Sequence, residues 1–230
     1  MNSPDVITIF HGSEGIIQKP LYGIGNPRND YGRGFYGTLV LDLAKEWACT
    51  ETHGGYANKY NLDLGGLHIL NLSDGQYNIL HWLTLLLKNR IFDTRNAVSE
   101  AGRQYLIEHF DIDTSNFDII RGYRADDSYF SFAQAFLDNT ITVRKLSEAM
   151  HLGKLGEQIV LVSPKAFAQI EFIGFEPAER DVFYPLRKSR DEFARSRFFS
   201  LRDAPGLKPD DLFLADIIRG GITADDPRLQ

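Results

Sequence analysis

The chain has 230 residues, a formal net charge of −6 at pH 7 and a hydrophobic fraction of 43%. This length is typical of one domain with a substantial core, and the acidic balance disfavours a general nucleic-acid-binding or anionic-membrane surface. The single cysteine, Cys49, excludes an internal disulfide framework and a cysteine-rich metal site. Apart from His11, no two histidines have metal-ligand spacing, so we predict no metal site.

The cellular compartment is inferred from the start of the chain and from its most apolar segment. Residues 1–5 lack the basic region of a signal peptide. The apolar segment 79–87 is much shorter than the roughly 18 residues that a membrane span needs. We therefore expect a cytoplasmic protein, or an effector that is delivered without a cleaved signal peptide, and no membrane partner.

Two segments near the start of the chain predict a small-molecule pocket. The β-branched, apolar run 6–10 predicts a buried strand that ends at His11. Residues 29–38 contain several glycines and predict a loop in which the backbone approaches a ligand closely while the Tyr36 ring covers it. Asn29 and Asp30, at the start of this loop, are typical turn formers.

The middle of the chain predicts several strands mixed with helices. Residues 38–47 predict a helix that begins at Thr38 as its N-cap and that backs the Tyr36 loop. Residues 63–66 predict a hairpin turn between two strands. Further helices are predicted at 77–90, 97–110, 129–136, 142–150 (stopped by Gly153) and from Pro164, and strands at 55–62, 67–72, 117–123, 157–162 and 170–175.

The composition changes at residue 178, where a segment rich in arginine begins. Seven basic residues lie between 180 and 202, which predicts an exposed helix and tail. We predict a domain at 1–177 and a helical extension at 178–230 that packs on the same domain. Strands and helices that neither alternate strictly nor segregate indicate an α+β fold.

The pocket segments also carry a family resemblance. His11-Gly12-Ser13, followed by the run from Gly32 to Tyr36 and a helix reading Ala-Lys-Glu-Trp-Ala, resembles the NAD-binding half of ADP-ribosyltransferases. The similarity is to the branch that includes poly(ADP-ribose) polymerases and diphtheria-type toxins. The greater part of the chain is similar to a bacterial family of uncharacterised proteins in that superfamily, DUF3990. The resemblance implies a central split antiparallel sheet with flanking helices, and NAD as co-substrate.

The resemblance assigns a role to each residue of the first motif. It implies that His11 donates a hydrogen bond to the ribose of NAD and that the Gly12 backbone holds the nicotinamide amide, where a Cβ would block the ligand. Ser13 would add a hydrogen bond. The alternative for His11 is a structural histidine at the end of a strand.

The second motif contributes the stacking platform. The resemblance implies that the Tyr36 ring stacks on nicotinamide, while the cofactor-binding loop includes Arg33, Gly34 and Phe35. Arg33 stands where the polymerases have lysine. The alternatives are a core aromatic for Tyr36 and a solvated loop charge for Arg33.

The third element of the superfamily is a glutamate at the start of a later strand, which stabilises positive charge on the ribose as nicotinamide leaves. Here Glu157 and Gln158 both match that position in part. Adjacent strand residues point to opposite faces, so only one of them faces the pocket. Both faces of this strand are apolar, and periodicity does not choose between them; the bacterial family favours Gln158.

Asp126 and Asp127 also match the bacterial family. One interpretation is that they cap the following helix. In the other, one of them lines the cleft and provides the negative charge that a glutamine lacks.

The resemblance implies a function as well as a fold. The expected enzyme is a mono-ADP-ribosyltransferase, a bacterial toxin or effector with a protein or nucleic-acid acceptor and a cognate inhibitor protein. The alternatives are an NAD glycohydrolase and a non-catalytic module that binds NAD or a partner.

Overall fold

The structure is a computed structural model that describes residues 5–125, 127–152 and 156–229. In this part of the chain the fold is α+β, as predicted, with two sheets. The strands are β1 (Val6–Ser13), β2 (Phe35–Gly37), β3 (Gly55–Asp63), β4 (Ile69–Asn71), β5 (Ile119–Tyr123), β6 (Glu157–Leu161) and β7 (Ile170–Ala178). The helices are α1 (Leu41–Ala48), α2 (Ile79–Asn89), α3 (Ala97–Phe110), α4 (Asp127–Leu137), α5 (Val143–Ala149), α6 (Pro164–Ala168), α7 (Arg180–Asp203) and α8 (Leu214–Gly220).

The two sheets meet beside the predicted pocket. One sheet has the strand order β1–β3–β7 and is antiparallel. The other has the order β2–β6–β5–β4, in which β4 and β5 are parallel and the other pairs antiparallel. A bridge between Phe10 and Thr38 connects β1 with the end of β2. This junction makes the His11 and Tyr36 segments neighbours although 25 residues separate them.

The sheet that contains β6 separates two apolar cores, because successive side chains of a strand point to opposite faces. The face toward the other sheet carries Phe35, Ile119, Ile159 and Leu161. The opposite face carries Ile120 and Val160, which pack with the helices. Tyr36 pairs with Val160 in the register of β2 and β6, and Gln158 lies two residues before Val160. The side chains of Tyr36 and Gln158 therefore project from the same face.

The predicted hairpin around residues 63–66 is wrong. β3 lies in one sheet and β4 in the other, where β4 pairs with β5. The glycine-rich segment does turn the chain, with Gly66 at a φ of +70°. A local turn signal fixes the reversal of the backbone, but it does not fix which strand each arm pairs with.

The boundaries of the pocket segments also differ from the prediction. β1 continues through His11 to Ser13, and Phe35 and Tyr36 belong to a short strand rather than a loop. Thr38 does not cap α1: the N-cap is Val40, which makes no side-chain cap bond. α1 packs chiefly on β1 and β3 instead of the Tyr36 loop.

The arginine-rich segment forms α7, which packs on α1, α4 and α5. Arg190 of α7 makes two hydrogen bonds to the carboxylate of Glu46 in α1, at 2.8 and 3.0 Å. Glu46 is buried, with 3% of its side chain exposed. Among the described residues, no helix combines the length and the apolar character that crossing a membrane requires.

Candidate functional site

A cavity of about 300 Å³ opens where β1, β2 and β6 come together. We call it the polar cavity. Its described lining residues are His11, Gly12, Asn29, Asp30, Tyr36, Trp47, Arg90, Arg124, Ala125, Gln158 and Arg187. The structure thus brings together His11, Tyr36 and Gln158, which the sequence analysis selected from three separate segments.

His11 lies in β1 and lines the polar cavity. Its Nδ1 donates a hydrogen bond of 2.6 Å to the carbonyl of Tyr36, since a carbonyl oxygen only accepts. Burial lowers the pKa of His11 below its usual 6.5, and the bond to Tyr36 opposes this only in part. The ring is therefore neutral at pH 7 and its Nε2 is an acceptor. The role that the resemblance implies, in which His11 donates to a ribose hydroxyl, stays a prediction.

The Tyr36 ring is held by its own loop. Its hydroxyl donates to the carbonyl of Gly32 at 2.7 Å and accepts from the backbone N–H of Tyr31 at 3.0 Å. Burial raises the pKa of Tyr36 well above its usual range, so the phenol stays protonated. Gly32 adopts a φ of +75°, which favours glycine and allows the loop to curl over the ring. The ring is a fixed, half-buried wall of the polar cavity.

Gly12 and Ser13 serve the scaffold in ways that the resemblance did not imply. A Cβ on Gly12 would lie 2.8 Å from the backbone nitrogen of Ala48 and closer still to the Ala44 carbonyl. Glycine is therefore required for the close approach of α1. Gly12 also lines the polar cavity, and its predicted contact with the nicotinamide amide stays a prediction. The Ser13 hydroxyl donates to the Gly15 carbonyl and accepts from Asn58, and Ser13 does not line the polar cavity.

Gln158 and Glu157 lie on opposite faces of β6. Gln158 is 6% exposed and lines the polar cavity. Its Nε2 lies 3.4 Å from a carboxylate oxygen of Asp30, and its Oε1 has no hydrogen-bond partner among the described residues. Glu157 points away from the cavity and accepts a hydrogen bond of 2.6 Å from Arg121. The structure therefore places an amide in the cavity and the carboxylate of Glu157 outside it.

Asp30 is a wall of the cavity that the sequence analysis interpreted as a turn former. It is 4% exposed and accepts hydrogen bonds from Arg90 at 2.7 Å and from the backbone N–H of Ala125 at 2.8 Å. Burial raises the pKa of Asp30, while the Ala125 N–H and the Arg90 guanidinium lower it. No local signal marks this pair, because 60 residues separate Asp30 from Arg90.

A second cavity of about 390 Å³ adjoins the polar cavity. We call it the apolar cavity. Its lining residues are His11, Ile17, Lys19, Pro20, Leu21, Ile24, Gly25, Asn29, Gly34, Phe35 and Tyr36. His11, Asn29 and Tyr36 border both cavities. Gly34 and Phe35 line the apolar cavity, whereas Arg33 is exposed and lines neither.

Asp126 and the side chain of Asp127 lie outside the described residues. The proposal that one of them provides charge to the cleft therefore stays a prediction.

A comparison with known protein families identifies the family to which the chain belongs. The profile of a family described as a protein of unknown function, DUF3990, matches residues 7–172, which is more than half of the chain. The chain belongs to the DUF3990 family. No curated protein and no solved structure matches it.

Three of the lining residues of this DUF3990 protein were missed entirely by the sequence analysis as site residues. The sequence analysis assigned Arg90 only to a helix end and Arg124 to no element, and Arg187 belongs to α7, beyond the matched residues. Trp47 was predicted only as the end of a helix over residues 38–47, but it lines the cavity and its Nε1 has no hydrogen-bond partner among the described residues. The guanidinium of Arg124 lies 4.4 Å from the centre of the Trp47 ring.

Proposed function

We propose that the two cavities bind NAD and that this DUF3990 protein transfers ADP-ribose to a macromolecular acceptor, with an ADP-ribosyltransferase-type fold. The observation that carries the proposal is the convergence of His11, Tyr36 and Gln158 on one cavity. These residues come from three strands in two sheets. They are the three positions that the resemblance assigns to this chemistry.

The polar groups of the cavity suit the nicotinamide ribosyl half of NAD. Gln158 Oε1 and Trp47 Nε1 are buried and have no hydrogen-bond partner among the described residues. Leaving a buried donor or acceptor unpaired costs roughly 1–3 kcal/mol, so a ligand that pairs both is favoured. A carboxamide and ribose hydroxyls carry donors and acceptors of both kinds. His11 Nε2 adds an acceptor for a hydroxyl.

The apolar cavity suits the adenine half. Its walls include Ile17, Ile24 and the Phe35 ring, which offer a flat purine apolar contact. A dinucleotide has two flat ends joined by a flexible linker. It therefore matches two cavities that share His11 and Tyr36.

Bound NAD supplies a nicotinamide leaving group and an electrophilic ribose carbon. The protein holds the nicotinamide ring against Tyr36 and places negative charge beside the ribose. His11 Nε2 accepts a hydrogen bond from a ribose hydroxyl. Gln158 offers only an amide dipole beside the ribose. Asp30 is the carboxylate among the described lining residues, and it lies beside Gln158. We assign the electrostatic role to Asp30, with Gln158 as its neighbour in the cavity.

NAD consumption by the purified protein tests the proposal, with mass spectrometry of nicotinamide and ADP-ribose. We expect nicotinamide release in the wild type and a loss of about a hundredfold or more in His11→Ala. His68→Ala is the matched control, because His68 is exposed and lines neither cavity. Equal rates in wild type and His11→Ala would contradict the proposal. Free ADP-ribose without a labelled acceptor would identify an NAD glycohydrolase instead.

A second candidate is a non-catalytic module that binds NAD through the same cavities. The position of Gln158 favours it, since an amide carries no net charge to oppose the positive charge that develops on the ribose. A ligand that binds only the folded state raises the melting temperature. A thermal shift with NAD, without nicotinamide release in cell lysate, would select this module.

We also propose a biological role, as a bacterial toxin or effector with a cognate inhibitor protein. α7 exposes basic side chains and the exposed apolar residues Val182, Leu186 and Phe193. Co-expression with the neighbouring genes of the source genome tests this role: a partner that restores growth and abolishes NAD consumption is the expected inhibitor. Normal growth of cells that express the active enzyme alone would contradict it.

A further inference from the structure

Two buried polar side chains of β3 hold the loop that follows β1. Asn58 is completely buried, and so is Tyr60, two residues further along the strand. Side chains two positions apart in a strand point to the same face of the sheet. This face is turned toward β2, because the Tyr60 ring contacts the Phe35 ring edge-on, with centroids 5.4 Å apart. Tyr60 therefore packs against a wall of the apolar cavity, since Phe35 lines that cavity.

Asn58 binds the loop through both ends of its amide. Its Nδ2 donates to the carbonyl of His11 at 3.2 Å and to the Ser13 hydroxyl at 2.9 Å. Its Oδ1 accepts from the backbone N–H of Ile17 at 2.9 Å. A carbonyl oxygen only accepts and a backbone N–H only donates, so these partners fix which way the amide points. Asn58 thus connects the end of β1 with Ile17.

Tyr60 binds the other backbone group of Ile17. Its hydroxyl donates to the Ile17 carbonyl. Burial raises the pKa of Tyr60 well above its usual range, so the phenol stays protonated and is able to donate. The residues on either side, 14–16 and 18–19, are exposed, whereas Ile17 is half-buried. Ile17 is therefore the point at which β3 fixes this part of the loop.

We propose that Asn58 and Tyr60 are positioning residues, which hold Ile17 in place as a wall of the apolar cavity. Neither of them, nor any other residue of β3, is among the described residues that line the two cavities. The identity of the ligand, the adenine half of NAD, rests on the proposed function. The positioning itself rests only on the hydrogen bonds to the loop. Asn58 also holds the His11 carbonyl and so acts on both cavities, whereas the Tyr60 hydroxyl acts on the apolar cavity.

Calorimetry with NAD and with nicotinamide riboside, which lacks the adenine half, tests the role of Tyr60. Tyr60→Phe removes the hydroxyl and keeps the ring with its contact to Phe35. We expect NAD affinity to fall roughly threefold to tenfold, as for the loss of one hydrogen bond, and affinity for nicotinamide riboside to stay unchanged. A general loss of stability would weaken both ligands alike. Tyr56→Phe is the matched control, because Tyr56 belongs to the same strand and its hydroxyl has no hydrogen-bond partner among the described residues.

Asn58→Ala tests the residue that acts on both cavities. The substitution releases the His11 carbonyl and the Ile17 N–H, so we expect weaker binding of NAD and of nicotinamide riboside. Hydrogen–deuterium exchange of the Ile17 amide, followed by NMR, measures the positioning without a ligand. We expect faster exchange than in the wild type in both Asn58→Ala and Tyr60→Phe, and wild-type exchange in Tyr56→Phe.

The two measurements distinguish a failure of the positioning from a failure of the proposed function. Wild-type affinity for NAD in Tyr60→Phe, or equal losses for NAD and nicotinamide riboside in that variant, would overturn the positioning role. No binding of NAD by the wild type would overturn the proposed function, and exchange at Ile17 would then decide the positioning. Exchange at Ile17 that is unchanged in Tyr60→Phe would overturn it, even where Asn58→Ala does not fold.

Discussion

The polar and the apolar cavity share His11, Asn29 and Tyr36, but they are built in opposite ways. The apolar cavity is formed within residues 11–36, by chain that is nearly continuous in sequence. The polar cavity collects residues from β1, α1, β6, α7 and the loops between them. In our proposal, the flat apolar end of the ligand occupies the apolar cavity and its hydrogen-bonding end occupies the polar cavity. The difference in construction also means that damage to distant elements affects the two cavities unequally.

The largest expected effect is on the free energy of unfolding and concerns α7, which contributes Arg187 to the polar cavity and no residue to the apolar cavity. Arg190→Ala leaves the carboxylate of Glu46 buried and unpaired, which costs about 3 kcal/mol of unfolding free energy. Arg195→Ala breaks a partly exposed pair with Asp191 and costs less than about 1 kcal/mol. Urea denaturation measures both values. Equal destabilisation by the two variants would show that the Arg190–Glu46 pair does not anchor α7.

The next prediction compares the two faces of β6. Gln158→Ala removes a side chain from the polar cavity, and we expect NAD affinity to fall about tenfold, as for the loss of one hydrogen-bonding partner. Glu157→Gln changes a residue on the opposite face and leaves NAD affinity within about twofold. Calorimetry gives both dissociation constants. A larger loss of NAD affinity in Glu157→Gln than in Gln158→Ala would contradict our proposal, because the ligand would then contact the opposite face of β6.

The pH dependence of binding tests the state of His11. Its pKa is lowered below 6.5, so the ring is neutral above that pH and protonates only on the acid side of it. Protonation converts Nε2 from an acceptor into a donor and adds positive charge beside Tyr36. We expect NAD affinity to be constant between pH 7 and 8 and to fall below 6.5.

Calorimetry across this range in wild type and His11→Ala isolates that contribution. The variant lacks the titrating ring, so its affinity for NAD should not fall below pH 6.5. Affinity that rises as the pH falls below 6.5 in the wild type alone would identify His11 as a donor to the ligand.

The smallest expected effect concerns the apolar cavity. Ile24 lines it and is 72% exposed, so Ile24→Ser removes little buried surface and should weaken NAD a few-fold, by about 1 kcal/mol or less. Binding of nicotinamide riboside should not change, because Ile24 does not line the polar cavity. Equal losses for NAD and nicotinamide riboside would contradict the division between the two cavities.

The sequence by itself determined the elements whose signals are local. α3 occupies the predicted residues 97–110, because its Asn96 cap and its apolar spacing lie within the helix itself. The serine and proline before and at the start of α6 likewise mark its first turn, where Ser163 accepts a hydrogen bond from Ala166. The segments of His11 and Tyr36 were also found from sequence, since their glycines and aromatic rings are adjacent in the chain.

Only the tertiary structure decided the features that depend on pairing between distant segments. β4 joined the sheet of β5 instead of forming a hairpin with β3, because pairing partners are not encoded in a turn. Gln158 rather than Glu157 entered the cavity, since a strand with two apolar faces carries no periodic signal that orients it. The contacts of Asp30 with Arg90 and of Arg187 with Cys49 join residues 60 and 138 positions apart. Such contacts form only when packing of the two cores brings the segments together, and a local pattern carries no information about that packing.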